Sequence, residues 1–345
     1  MKDSDTIQLG HGAGGKLQEE LIEFITKSVK LRRVGSGIGL DEFEDAASIP
    51  LSLEDAEMEI VVTADGHTVY PLQFPGGDLG KLAVCGTVND LCMMGATPIA
   101  LTSVVLIEEG MSAGKVQDIM ESFNRTAEEA GVAIIAGDTK IMPKGTLQEM
   151  VIATTGVGKK PKNRIVLNRN VQPGDKILVT GSIGDHGIAL MANREGINLE
   201  TTLESDVAIL TPLAEVAWQF SELHMMKDPT RGGLAAALND VAMKSNVSIW
   251  LQEDAIPVKE QVQAVAGVLG LDPLEVACEG RFIAAVGADQ AENLITALRE
   301  LPLGLGATII GEARSERPGR VLMETAVGGT RFVDMPLGEL IPRIC

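Results

Sequence analysis

Aromatic side chains are scarce in this chain: one tyrosine, two tryptophans and seven phenylalanines in 345 residues. Its core must therefore be built from Val, Ile, Leu, Ala and the 14 methionines. Positive charge is also short, with 29 Lys and Arg against 48 Asp and Glu, a formal net charge of −19. So acidic a surface repels nucleic-acid phosphates and anionic lipid, which argues against both nucleic acid and membrane as partners. A polyphosphate would be repelled as well unless a divalent cation came with it, although the same charge also serves plain solubility. No apolar run reaches the ~18 residues needed to cross a bilayer. The opening MKDSDTIQLGHG lacks the apolar core of a secretory signal, so a cytoplasmic protein with reduced thiols is expected. The four cysteines (Cys85, Cys92, Cys278 and Cys345) form no CxxC pair and no zinc spacing. Neither a disulfide framework nor a structural metal is thereby indicated. Cys85 and Cys92 lie seven apart in an apolar helical stretch, on one face, and read as buried thiols.

The length suits two domains. Residues 1–160 read as an N-terminal domain, 161–330 as an α+β C-terminal domain, and 331–345 as an extended tail. The boundary falls where Lys, Asn, Pro and Gly accumulate over 159–175. Helices are predicted over 17–30, 78–94 (with Asp78 as N-cap), 112–130, 232–244, 259–269 and 290–300. Strands are predicted over 59–64, ending at Asp65, and 132–136, ending in GDTK, with others between the helices. VNDLCMM at 88–94 and LNDVAMK at 238–244 are similar pieces at comparable places in the two halves, a hint of duplication. Pro336 and Pro342 keep the tail extended, and its last ten residues span up to roughly 33 Å.

Three features carry chemistry. Gly10 to Lys16 satisfies G-x-x-x-x-G-K, but Leu17 stands where a P-loop needs a hydroxyl and the preceding segment is too polar for a buried strand. A P-loop is rejected. A glycine-rich run opening a helix still offers N–H groups to an anion, or is simply a flexible arm. Asp45, Asp65, Asp90 and Asp138 sit at strand ends and turns, where each alone is an ordinary turn residue or cap. Together they suit magnesium, a hard cation held by one or two carboxylates and substrate phosphates. Cys345 ends the tail, too far along for prenylation. Arg343 beside it favours the thiolate, so a carrier thiol on a swinging arm competes with a chance terminal cysteine. His67 and His186 read as turn residues rather than catalysts.

TADGH at 63–67, PGGDLGKLAVCGTVNDL at 75–91, AGDTK at 136–140, GDHG at 184–187, DPTRGGL at 228–234, ACEGR at 277–281 and the terminal PRIC resemble the hydrogenase maturation factor family HypE. That family is grouped with aminoimidazole ribonucleotide synthetase, selenophosphate synthetase and thiamine-monophosphate kinase. The resemblance implies a two-domain, PurM-like ATP-binding α+β fold that forms a homodimer, its N-terminal sheets closing a barrel across the interface. It implies that HypF carbamoylates Cys345. The chain, as a carbamoyl dehydratase, then spends ATP with Mg2+ to convert the thiocarboxamide into a thiocyanate. The cyanide passes to iron on the HypC–HypD complex, for nickel–iron hydrogenase. By motif, magnesium falls to Asp45, Asp65, Asp90 and Asp138, and nucleotide to Asn89, Asp65, Asp138 and the arm of Gly12, Gly14, Gly15 and Lys16. Lys140 and Glu279 join Cys345 in the dehydration step. Relatives carry Asp-Asp-Ala where this chain has Glu44-Asp45-Ala46, so Asp45 and not Glu44 is taken as the ligand.

The chemistry suits these roles. An amide oxygen leaves poorly until it is phosphorylated, and a positioned base must then take the N–H protons, a task for Glu279. Lys140 offsets negative charge on the phosphoryl group or the amide oxygen. A selenophosphate synthetase would place a reactive cysteine near its N-terminus, whereas the first here is Cys85. A non-enzymatic metallochaperone presenting Cys345 would need no nucleotide site.

Overall fold

The structure, a computed structural model, describes residues 15–17, 19–20, 36–38, 42, 44, 47–53, 56–197 and 203–337. Cys345, Arg343, Asp45, Gly12 and Gly14 lie outside them, as does most of the predicted helix 17–30, of which residues 17, 19 and 20 are helical, preceded by helical residues 15 and 16.

The N-terminal sheet has the order β1-β2-β7-β5-β6. Its strands are β1 (Ala47–Leu53), β2 (Ala56–His67), β5 (Thr97–Glu108), β6 (Ala133–Met142) and β7 (Met150–Pro161). The short pair β3 (Gln73–Phe74) and β4 (Gly77–Asp78) lies between β2 and the first helix. Neighbours are antiparallel except β5 and β6, which run parallel because the helix α2 (Ala113–Glu129) crosses between them. Along β7 buried residues alternate with half-buried ones, as expected of a sheet covered on one face.

The covering element is α1 (Leu79–Met93). As expected, the Asp78 carboxylate caps it, accepting from the Lys81 backbone N–H at 2.8 Å. This helix is apolar nearly all round and buried along almost its whole length, the mark of a central helix and not a surface one. It can lie this close to the sheet because glycine faces it: a Cβ on Gly156 of β7 would sit 2.7 Å from Thr87 Cγ2. Cys85 and Cys92 are both fully buried in it, and burial pushes each thiol up to about 12.

The second sheet has the order β14-β13-β10-β12-β8-β11-β9. Its strands are β8 (Lys176–Val179), β9 (Leu223–Lys227), β10 (Ser248–Gln252), β11 (Ile283–Val286), β12 (Thr308–Arg314), β13 (Arg320–Glu324) and β14 (Thr330–Phe332). Five helices accompany it: α3 (Asp185–Arg194), α4 (Thr211–Ala217), α5 (Gly233–Ser245), α6 (Glu260–Leu269) and α7 (Ala288–Arg299). One hydrophobic cluster runs through both halves, joining Leu79, Val88 and Phe123 to Ile188, Leu210, Leu213 and Phe282.

Two strand ends differ from expectation. β2 continues through Asp65 to His67, and β6 continues through Asp138 and Lys140 to Met142. In both places the neighbouring strand keeps supplying ladder partners, Thr154 opposite Asp65 and Val104 opposite Asp138, so pairing overrides the local polarity. The two similar pieces occupy comparable places. Asn89 on α1 and Asn239 on α5 are both buried and both donate to distant backbone, to Ala208 O at 3.0 Å and Val333 O at 2.9 Å.

Candidate active site

Asp65 projects from β2 into the crevice between the halves, its side chain 25% exposed. Oδ1 accepts the Gly66 N–H at 2.8 Å, and Oδ2 lies 3.4 Å from His67 Nε2. Beneath it His67 is buried, its Nε2 within 3.3 Å of Thr87 Oγ1 and 3.2 Å of Thr154 Oγ1. Burial lowers its pKa, Asp65 partly opposes this, and Arg231 adds to it. Gly86 of α1 makes room here, since a Cβ would meet His67 Cε1 at 2.8 Å. Asp90, one turn further along α1, is tied to the same strand by the Thr63 hydroxyl, which donates to its Oδ2 at 2.9 Å.

Glu279 forms the opposite wall and is only 8% exposed. Burial pushes its pKa well up, and the carboxylates of Asp228, Asp206 and Asp65 push it further while Arg231 opposes them. The acids that raise Glu279 come from both halves of the molecule, Asp65 from the N-terminal sheet and Asp228 and Asp206 from the second half. Its backbone carbonyl accepts from Ala208 N–H at 3.5 Å and Asn89 Nδ2 at 3.4 Å, while Leu210 N–H donates to Asn89 Oδ1 at 2.9 Å. Both ends of the Asn89 amide are thus engaged with the other half of the molecule.

The arm and the tail meet beside this crevice. Gly15 has φ +71°, and a Cβ there would fall 2.0 Å from the Pro336 carbonyl oxygen. On the other side a Cβ on Gly232, in the DPTRGG turn, would sit 3.8 Å from Pro336 Cγ. The base of the tail thus runs between the arm and the turn that carries Asp228 and Arg231. Lys16 is helical and exposed.

Asp65, Asp90, Asn89 and Glu279 come together in this way. Asp138 and Lys140 do not join them within one chain: both are exposed on β6, three strands from β2 in the sheet order. Asp138 Oδ1 accepts the Thr139 N–H at 2.8 Å. His186 is buried edge-on against Phe74, and burial holds it down at about 3. Among the described residues no three His, Cys, Asp or Glu side chains are grouped to hold a metal by themselves. Asp65 and Asp90 suit the open arrangement of a cation that arrives with phosphate oxygens. Asp228 and Arg231 were legible in the sequence as the opening of a helix and as part of the DPTRGGL motif, but neither was singled out as a site residue. Their motif, an Asp and an Arg three apart before two glycines, was the available signal.

Two family models match the chain: AIR synthase related protein, N-terminal domain, over residues 43–159, and the corresponding C-terminal domain over residues 172–324. Fold and crevice together define a two-domain protein of the AIR synthase related class. Carbamoyl dehydratase HypE of Rhodobacter capsulatus is 40% identical over 343 residues, covering 99% of this chain and 98% of that protein. A crystal structure of the HypE–HypF complex matches with TM-score 0.83 and 39% identity, covering 93% of this chain and 100% of that one. HypE in complex with ATP matches with TM-score 0.80 and 39% identity, covering 99% and 100%. The chain belongs to the HypE family of carbamoyl dehydratases, which serve hydrogenase maturation.

Proposed function

We propose that this protein dehydrates an S-carbamoyl group on its own Cys345 to a thiocyanate at the expense of ATP, and so furnishes cyanide for the iron of nickel–iron hydrogenase. The observation that supports it most directly is the Glu279 carboxyl, buried where the two halves meet and within electrostatic reach of Asp65. ATP supplies the leaving group: the carboxamide oxygen departs in phosphate, ADP is released, and the nitrogen gives up both protons as the C≡N bond forms. Glu279 is placed to receive a proton, once cation and nucleotide have offset the carboxylates around it. Asp65 and Asp90, with Asp45 and Asp138, would hold Mg2+, which would offset phosphate charge, and Gly12, Gly14, Gly15 and Lys16 would cover the nucleotide. Known HypE structures bind ATP and HypF. The reading takes HypF as the carbamoyl donor and a HypC–HypD complex as the cyanide acceptor, with all of them in the cytoplasm.

The test is mass spectrometry of the intact protein after incubation with HypF, carbamoyl phosphate and ATP. The expected result is a gain of one carbamoyl group at Cys345 followed by loss of one water. Metal bound at Cys345 without covalent change would instead favour a metallochaperone. Replacing Asp90 by Asn is expected to abolish ATP hydrolysis while the circular dichroism spectrum stays that of the parent, because the Thr63 hydroxyl keeps an oxygen acceptor there.

The reading includes a homodimer. Ile135 and Ile141 are 64% and 60% exposed on the edge strand β6, with Ile134, Ile99 and Val104 also open to solvent. An apolar edge of this kind invites pairing with a second copy, which closes the two sheets into a barrel. Pairing there also carries Asp138 and Lys140 towards the partner's crevice. Ile135→Glu is expected to convert the dimer to monomer in light scattering.

A further inference from the structure

Glu279 is a buried acid on a loop with no helix or strand of its own, so something must hold its backbone still. Asp206 does so. Its side chain is fully buried, Oδ1 accepts the Glu279 N–H at 3.1 Å, and Oδ2 accepts the Gly280 N–H at 3.3 Å. A carboxylate that spans two successive N–H groups fixes the plane of the peptide between them. The fit leaves no slack: a Cβ on Gly280 would fall 1.7 Å from the Asp206 carbonyl oxygen.

Behind Asp206 stands Arg281. Its Nε is 3.9 Å from Asp206 Oδ2 and its Nη2 is 4.0 Å from Oδ2 of the buried Asp185. Nη1 donates to the Gly280 carbonyl at 2.9 Å and Nε to the Ser182 carbonyl at 3.3 Å. Gly181 clears the space for this guanidinium, since a Cβ there would sit 2.6 Å from Nε. Asp185 is anchored in turn by Lys259 at 2.7 Å and the Ser182 hydroxyl at 2.6 Å. The peptide that carries Glu279 is therefore held at its N–H by Asp206 and at its carbonyl by Ala208 and Asn89, with Arg281 bracing the acid from behind.

We propose that Asp206, braced by Arg281, is the positioning residue of the dehydration step: it fixes the peptide that carries the Glu279 carboxyl. The proposal rests on Glu279 acting as the base. Among the described residues the Asp206 carboxylate accepts from the Glu279 and Gly280 N–H groups, so its action is through Glu279.

The test uses the full chain carrying a carbamoylated tail, with single-turnover conversion to nitrile followed by mass spectrometry at varied ATP. Asp206→Asn is expected to slow conversion about tenfold to hundredfold, the range for a displaced catalytic group, with the ATP concentration for half-maximal rate unchanged. Asp206→Asn combined with Glu279→Gln is expected to be no slower than Glu279→Gln alone, because residues that act through one another are not additive. Arg281→Lys, which keeps the charge but loses the fork, is expected to slow conversion in the same direction and serves as the reporter if Asp206→Asn does not fold. Conversion by Asp206→Asn at the parent rate, a double variant whose losses multiply, or a weakened ATP dependence in step with the rate would each overturn the positioning role. If Glu279→Gln itself converts at the parent rate, the assignment of the base has failed and this proposal falls with it. If Glu279→Gln is inactive while Asp206→Asn is at parent rate, only the proposal falls.

Discussion

Replacing Glu279 by Gln leaves a carbamoylated tail that ATP no longer converts to nitrile, with conversion slowed about 10²- to 10⁴-fold, the usual contribution of a positioned acid–base group. Mass spectrometry of the tail and assay of ADP are read together, since loss of the base stops proton removal and not nucleotide binding. The same substitution has an opposite effect on stability. The folded state raises the Glu279 pKa through burial and the carboxylates of Asp228, Asp206 and Asp65. Stability from such a group is fully present below the ordinary glutamate range and is lost as pH rises through the raised folded-state value. Glutamine has no proton to lose. In the absence of nucleotide and metal, Glu279→Gln therefore melts higher than the parent at about pH 8, and the gap closes towards about pH 4. A function-for-stability exchange of this sign distinguishes a buried catalytic acid from an ordinary structural one, whose loss would lower the melting temperature at every pH.

The second large effect is at Asn89. Its amide joins the halves by donating to the carbonyls of Ala208 and Glu279 and accepting from Leu210 N–H. Asn89→Ala strands these buried groups, each costing about 1–3 kcal/mol when left without a partner. A drop of about 2–4 kcal/mol in unfolding free energy is expected from urea titration. The Glu279 carbonyl loses a partner as well, so turnover is expected to fall while the ATP dependence changes little. A variant of parent stability that had lost ATP binding would return Asn89 to direct nucleotide contact.

Local chemistry in the sequence announced much of this molecule. The capped, apolar stretch 79–93 could only be a buried helix, and Cys85 and Cys92 lie on it as expected. The fold class followed from the motif resemblance, and the matches to both domains agree with it. Strand ends were misplaced because Asp65, Asp138 and Lys140 are polar residues kept in strands by their neighbours, and a partner strand is invisible in a local window. The short helix α4 and the strand β9 were missed for a similar reason, being five to seven residues long. Glu279 was singled out through its motif, and the structure buries it. Asp206 could not be found, for nothing in SDVAIL marks an aspartate whose partners lie more than seventy residues away.

The hydrophobic cluster that runs without a break from Leu79 to Phe282 has a mechanical consequence. Enzymes that must enclose a reactive group usually do so by bending two lobes about a hinge, and a seam without interruption gives no place to bend. Here the jaws are welded. On the proposed function, delivery would then fall to the segments that meet at Gly15 and Pro336 and not to closure of the walls.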